Sequence, residues 1–432
     1  MAKIGLLASS LFSNRMFIDY PLPNEFALIS NWDKDYFIHD SVYPLITAKQ
    51  NALVSKIKNL NSVWHQQKRP SISKQIMDKY FNNPKKYAKS LWVWSTNLAK
   101  KATVFLAKNQ EIENQLRELG IDILVSTNPF AVQELMYVLN AKRIGIKVYT
   151  YILSWDNITT KTVLPFDPDA ILVWSEMLKK HINDYFPEWN KIRIRSVGAM
   201  QYDHFVNPQM IIPKKKFFQE LKLNTNLPTI LYTLGSPNFL KAEFSILHKF
   251  VKAIIDNGLI YNFNLIIRLH PDKSSQKFIN SNLLNHPNIS IQASYMEENG
   301  ARIQTQNAIR NWVSTFKHSD LLINAGSTTL IDASVCGVPH LNIATACEES
   351  NPAFYNVIMN FQHLNELHSE GLLMNVFSIE QLIYLVNVFL DKHNIPDTTE
   401  RLWRKVIQVE PGKSREIFFR TIQELSVTEQ AQ

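Results

Sequence analysis

The stretch Asp320–Pro339, DLLINAGSTTLIDASVCGVP, decides how the rest of the chain is read. Asp320–Asn324 has the short apolar character of a buried strand, and Ala325 with Gly326 turns the chain. Ser327 is an N-cap type of residue, and Gly337 followed by Pro339 marks the end of a short helix. The first turn of that helix offers the hydroxyls of Ser327, Thr328 and Thr329 beside backbone N–H groups that have no intrahelical acceptor. Such donors suit a diphosphate. Asp332 lies four residues after Thr328, on the same helix face, where a carboxylate accepts from ribose hydroxyls. Taken alone, a capped helix with a solvent-facing aspartate explains the stretch equally well.

The pattern repeats outward. Strand-like runs occur at Ile4–Ala8, Phe26–Ile29, Ile121–Ser126, Lys147–Leu153, Ala170–Trp174 and Ile192–Val197, then at Thr229–Thr233, Asn264–Leu269, Ile289–Ala293 and His340–Ala344. Helix-length segments such as Glu111–Leu119, Ala131–Arg143, Glu243–Asn257 and Ile379–Lys392 lie between them. Short buried strands alternating with helices predict an α/β fold of doubly wound parallel sheets. At 432 residues the chain exceeds one ordinary core, so two domains are expected. The expected division is 1–205, a linker over 206–228, a second domain over 229–410, a helix over 411–425 and a frayed tail over 426–432. Pro208, Pro213, Pro228 and the run Lys214–Lys216 mark the linker. Two such domains would face a cleft, with ligands beyond the carboxyl ends of the strands.

Composition excludes several classes. Apolar residues at 45% and charged residues at 19% do not describe a disordered chain. No apolar run reaches the roughly 18 residues of a membrane span. The run Ile4–Ala8 is shorter than the ~7–15 residues of a signal-peptide core. Two cysteines, Cys336 and Cys347, make neither a disulfide framework nor a four-thiolate zinc site. A cytoplasmic protein is expected. Of the formal charge of +8, the segment Trp64–Lys108 carries +9 and the remainder −1. From about Pro84 that segment reads as a helix with Leu91, Trp94, Leu98, Ala102 and Phe105 on one face. It is either an ordinary surface helix or a peripheral docking site for an anionic membrane. No RNA-binding signature accompanies the lysines, so nucleic acid is not an expected partner.

Other strand ends carry reactive side chains. Arg268 and His270 flank Leu269 before Pro271, and share a side of an extended chain. Arg268 suits a phosphate and His270 a departing phosphate oxygen, although a plain surface basic pair has the same sequence. Gly235 and Ser236 follow the strand Thr229–Thr233, as a turn or as a close approach to phosphate. In the first domain, Trp155, Asp156, Asn157 and Lys161 follow a strand and form either an acceptor-binding wall or a surface loop with a packed tryptophan. Gln201 and Asp203 lie at the hinge, where packing is the favoured role.

Asp33-Lys34-Asp35 and Asp167-Pro168-Asp169 match metal-site strings but read as turns. His363, Glu366 and His368 lack the spacing of a helical zinc site. No G-x-S-x-G, P-loop or G-x-G-x-x-G string occurs, which speaks against a serine hydrolase, a P-loop kinase and a dinucleotide oxidoreductase.

Together, Ser154–Lys161, Asp169–Ser175, Val197–Asp203, Arg268–Pro271 and Gly326–Ala333, with His363 after Phe354 and Tyr355, resemble bacterial surface-polysaccharide biosynthesis proteins related to CDP-glycerol glycerophosphotransferases. The resemblance spans Lys147 to about Ile422 and departs at Thr162 and Met200, where members often carry Gly and Pro. It implies a GT-B fold of two Rossmann-like domains facing a cleft, and transfer of a sugar or polyol phosphate from a nucleotide-activated donor to a glycan or lipid-linked acceptor. It implies donor phosphates on Arg268, Ser327, Thr328 and Thr329, ribose on Asp332 and the leaving group on His270. No metal and no cofactor beyond the donor are expected. Asp156 is the candidate base, and Trp155, Asn157, Lys161, Gln201, Asp203 and His363 are acceptor or cleft residues. A non-hydrolysing UDP-sugar 2-epimerase shares the fold and a Gly-x-x-x-x-Asp element like Gly198–Asp203, but its Gly-Gly-x-Gln-Glu-Glu turn is missing. A binding module built on the basic segment is a third reading.

Overall fold

The computed structural model describes residues 2–8, 16–17, 20–29, 101, 104–105, 107–130, 132–160, 164, 166–186, 189–235, 240, 243–270, 284–293, 305–345, 361–391 and 398–430. Among the described residues twelve strands fall in two six-stranded sheets, parallel throughout. The first sheet holds β1 (Ile4–Leu7), β2 (Phe26–Ile29), β3 (Ile123–Ser126), β4 (Lys147–Tyr151), β5 (Ala170–Val173) and β6 (Arg193–Ser196), in the order β2-β1-β3-β4-β5-β6. The second holds β7 (Thr229–Thr233), β8 (Asn264–Arg268), β9 (Ile289–Gln292), β10 (Leu321–Asn324), β11 (His340–Ile343) and β12 (Asn375–Val376), in the order β12-β11-β10-β7-β8-β9. β1, β3, β5, β7, β10 and β11 are buried at every residue, as strands covered on both faces must be. The expected strand positions hold, each end trimmed by at most two residues; the two-residue β12 has no apolar run to announce it.

The helices, in chain order, are α1 (Gln110–Leu119), α2 (Val132–Arg143), α3 (Asn157–Thr160), α4 (Glu176–Tyr185), α5 (Lys214–Leu221), α6 (Glu243–Asp256), α7 (Gln306–Lys317), α8 (Thr329–Val335), α9 (Gln362–Ser369), α10 (Ile379–Leu390), α11 (Thr399–Val406) and α12 (Ser414–Gln430). Local chemistry fixes their ends. Asn109 caps α1 by accepting from the Ile112 N–H, and Gly120 closes it with φ +57. Thr305 accepts from the Ala308 N–H at the start of α7, and Ser378 from the Gln381 N–H at the start of α10.

The described chain forms two compact units, one reaching to Gln201 and resuming at Val406, the other running from Tyr202 to Lys405. Residues 206–228 are more than a linker. They carry a 3-10 turn at Pro208–Met210 and helix α5, whose Phe217 and Phe218 are buried. The Ile212 N–H donates to Ser314 Oγ at 2.8 Å on α7, so the segment packs on its own unit. In the first unit α12 closes an aromatic cluster. Phe419 meets Phe26 edge-on at 4.8 Å and stacks on Tyr20 at 5.5 Å, while Phe418 meets Tyr151 at 5.6 Å. Gly198, with φ +81, lies so close to Ser414 and Val409 that a Cβ would collide with both. Residues 426–430, expected to fray, continue as helix to Gln430.

Each unit pins a strand-to-helix turn with a buried glutamate. In the first, Glu134 of α2 accepts from Ser126 Oγ (2.6 Å), Thr127 Oγ1 (3.2 Å) and the Asn128 N–H (2.8 Å). In the second, Glu243 of α6 accepts from the Gly235 N–H at 2.7 Å, and its Oε1 has no partner among the described residues. Burial pushes the Glu243 carboxyl up to about 8, partly opposed by the Gly235 bond.

Candidate functional site

The order of the second sheet reverses between β7 and β10, and Arg268, Ser327, Thr328 and Thr329 lie just at the carboxyl ends of β8 and β10. Thr233 ends β7, and its hydroxyl lies 2.8 Å from Thr329 Oγ1 at the start of α8. Thr329 Oγ1 is also 2.5 Å from Ser327 Oγ, so three hydroxyls form a chain across the reversal point. The N–H groups of Ser327 and Thr329 meet no acceptor among the described residues. Thr328, not Ser327, occupies the N-cap position. Its φ of −59 and ψ of −19 are helical, and its side chain makes no cap bond. The chain is already coiled at 328, which leaves the Ser327 hydroxyl to Thr329.

Arg268 ends β8 in register with Thr233 on one side and Gln292 of β9 on the other. Neighbours in register on parallel strands project from the same face. Arg268 Nη1 donates to Gln292 Oε1 at 2.5 Å, and the same oxygen accepts from Thr315 Oγ1 at 2.9 Å. Thr315 belongs to α7. Three residues earlier on that helix, Trp312 Nε1 donates to Asp332 Oδ2 at 3.1 Å. Both side chains are buried, and Trp312 meets Phe205 edge-on at 4.6 Å. One helix therefore braces the arginine through Gln292 and the aspartate through Trp312. His270, two residues past Arg268, is half-buried.

Gly235 does not join this set. Its N–H is committed to Glu243, and a Cβ there would collide with Leu240, so the glycine serves the packing of its own turn. Ser236 and Lys161, the Asp33–Asp35 string, Cys347 and nearly all of the basic segment 64–108 lie outside the described residues.

The first-unit candidates divide. Trp155 is 1% exposed and belongs to the core, not to a stacking wall; the chain turns inward at that point. Asp156 is half-buried and accepts from Ser154 Oγ at 2.5 Å, while its carbonyl takes the Thr159 N–H and hydroxyl. Asn157 starts α3 and is buried, as is Gln201, whose Oε1 has no partner among the described residues. Asp203 and His363 are buried in the second unit, His363 on α9 with its ring 5.9 Å from Phe361. Asp167 and Asp169 are structural: Asp167 accepts from Trp189 Nε1, and Asp169 from the Val148 N–H and Lys142.

Sequence reasoning missed Gln292, Trp312 and Thr315. Trp312 sits in a stripe with Ile309, Val313 and Phe316 that reads simply as a buried helix face.

No protein-family model and no curated protein matches the chain. Solved structures do. UDP-GlcNAc 2-epimerase from Neisseria meningitidis, bound to UDP-GlcNAc, is similar with a TM-score of 0.53 and 11% identity, covering 98% of this chain and 99% of that one. The Methanocaldococcus jannaschii UDP-GlcNAc 2-epimerase in complex with UDP-GlcNAc and UDP gives 0.51 and 14%, covering 97% and 99%. The wall teichoic acid polymerase TagF gives 0.46 and 14%, covering 72% and 74%, a looser likeness on which nothing below rests. At these identities the likeness establishes the fold: α/β, of the GT-B type, with two Rossmann-like units.

Proposed function

We propose that the second unit holds the phosphates of a nucleotide-activated donor, and that the chain transfers a sugar or polyol phosphate from it to a surface glycan or lipid-linked acceptor. The observation that carries this reading is the hydroxyl chain Thr233–Thr329–Ser327 at the reversal of strand order, with Arg268 in register beside it. Hydroxyls, N–H groups that meet no acceptor among the described residues and a braced guanidinium together offer the positive, donor-rich surface a diphosphate needs. In this reading Arg268, Ser327, Thr328 and Thr329 hold phosphate oxygens, Asp332 accepts from the ribose and His270 donates to the leaving oxygen. Asp156 of the first unit is the proposed base for the acceptor hydroxyl. Among the described residues no helix is long and apolar enough to cross a membrane.

Calorimetry against UDP, CDP, GDP and CMP tests the donor site. At least one should bind, and Asp332→Ala should weaken it; four negative titrations would remove the reading. Trp312→Phe gives a finer check. It keeps the ring on Phe205 but deletes the N–H that aims Asp332, so affinity for the bound ribonucleotide should fall about fivefold. Affinity for its 2′,3′-dideoxy counterpart should not change.

A second reading, epimerisation of a UDP-sugar, is favoured by the fold shared with the two epimerases above. Incubation with UDP-GlcNAc and no acceptor separates the two: epimerised product would favour the second reading, and unchanged donor the first.

A further inference from the structure

The three hydroxyls at the reversal of strand order share two contacts, Thr233 Oγ1 to Thr329 Oγ1 at 2.8 Å and Thr329 Oγ1 to Ser327 Oγ at 2.5 Å. Each hydroxyl has one hydrogen to give, so one of the three hydrogens is left over. Burial decides which. Thr233 is 2% exposed, whereas Thr329 and Ser327 are half-buried. Among the described residues Thr233 Oγ1 has one hydrogen-bond neighbour, Thr329 Oγ1. Asn324 Oδ1, buried at the end of β10, meets no donor among the described residues, so it does not take the Thr233 hydrogen. A buried hydroxyl hydrogen left without an acceptor costs the full desolvation of the donor. Thr233 therefore donates to Thr329. Thr329 then gives its own hydrogen to Ser327, because a chain in which each hydroxyl accepts once and donates once is the mutually polarised one. The surplus hydrogen emerges on Ser327, at the half-exposed end.

We propose that Thr233 is a positioning residue of the donor site: from the buried end of the hydroxyl chain it makes Ser327 an obligate hydrogen-bond donor toward the phosphate. This role rests on the reading of the Gly326–Thr329 turn as the seat of the donor phosphates. A serine hydroxyl can donate or accept, but an ionised phosphate oxygen only accepts. A Ser327 that spent its hydrogen on Thr329 would turn lone pairs toward the phosphate and repel it. With Thr233 donating from behind, the Thr329 hydrogen points forward and the Ser327 hydrogen is released to the ligand. Thr329 meets the phosphate with its N–H, which has no acceptor among the described residues. The chain is thus set before any ligand arrives, and binding does not have to turn it round.

The test measures UDP and CDP binding to the full chain by calorimetry. With whichever nucleotide binds, Thr233→Val keeps the shape and deletes the hydroxyl, and should lower affinity about three- to fivefold. Thr233→Ser should restore native affinity. In a Ser327→Ala background Thr233→Val should cost nothing further, because the hydroxyl it directs is gone. Equal losses in the two backgrounds would show that Thr233 acts through packing alone and overturn the role. Native affinity in Thr233→Val, or Thr233→Ser binding as weakly as Thr233→Val, overturns it too. A neutron diffraction map of the deuterated protein checks the direction itself. Deuterium should lie on Thr233 facing Thr329, on Thr329 facing Ser327, and on Ser327 facing away from Thr329. A Ser327 deuteron lying between Ser327 and Thr329 overturns the chain. If neither nucleotide binds, the donor-site reading falls, and the neutron map still decides which way the hydroxyls run.

Discussion

Arg268→Ala is expected to lower the affinity for the bound nucleoside diphosphate by about 10- to 100-fold, the effect of losing one or two charge-assisted hydrogen bonds. The expectation comes from how the side chain is held. A guanidinium carries five donors in a rigid fork. Here the contact to Gln292 Oε1, itself tied to Thr315, fixes the plane of that fork before any ligand arrives. Ordering a free arginine would cancel part of the binding energy; a braced one avoids that loss. Arg268→Lys keeps the charge and loses the fork, so it should recover only part of the affinity. Calorimetry on both variants, with a thermal melt to show that the second unit is intact, is the measurement. The loss should be larger for a diphosphate than for the corresponding monophosphate. Native affinity in Arg268→Ala would remove phosphate binding from β8.

The second large effect is on stability, and two buried groups of opposite sign produce it. Glu243 is pushed up to about 8 by burial, so between 4.5 and that value the folded unit binds a proton that the unfolded chain releases. Its contribution therefore weakens as pH rises, by about 1.4 kcal/mol per pH unit. His340, at the start of β11, is pushed down to about 4 by burial, and neither ring nitrogen has a partner among the described residues. It stays neutral in the fold while the unfolded chain takes a proton below about 6.5, so its contribution weakens as pH falls from 6.5 to 4. Between 4.5 and 6.5 the two slopes cancel. The second unit should show a plateau of stability there and lose about 2 kcal/mol from pH 6.5 to 8. Glu243→Gln keeps an acceptor for the Gly235 N–H and removes the titration, so the loss above pH 6.5 should vanish. His340→Leu should turn the plateau into a steady decline from pH 4.5. Denaturant melts of the three chains across pH 4.5–8 decide it; a native chain whose stability rises from pH 6.5 to 8 would contradict the assignment of Glu243.

Strands were legible because parallel strands covered on both faces need continuous apolar runs, and runs such as Thr229–Thr233 stand out against their polar flanks. The placement of Arg268, Thr329 and Asp332 at a strand end and in a helix's first turn was legible because residues there keep their position whatever the long-range packing. What could not be read depends on partners distant in sequence. Trp155 and Trp312 have the same side chain, yet one fills the core of its unit and the other aims a carboxylate; only the fold distinguishes them. Gly235 looked like a close approach to a ligand because nothing local reveals that Glu243 occupies its N–H. The hydroxyl chain is invisible for the same reason. Thr233 and Thr329 are 96 residues apart and meet only through the pairing of β7 with β10.

The aromatic cluster of α12 bears on how the polypeptide is made. Phe17 and Phe26 leave the ribosome well before the rings that cover them, Phe418 and Phe419, which follow only after the stretch Tyr202–Lys405. The stretch Tyr202–Lys405, which makes up the described part of the second unit, is synthesised in one piece, whereas the first unit keeps the faces of Phe17 and Phe26 without these two rings until α12 arrives. A premature stop before residue 414 would thus harm the unit whose strands precede Tyr202, leaving a sticky nascent chain for chaperones or proteases to intercept.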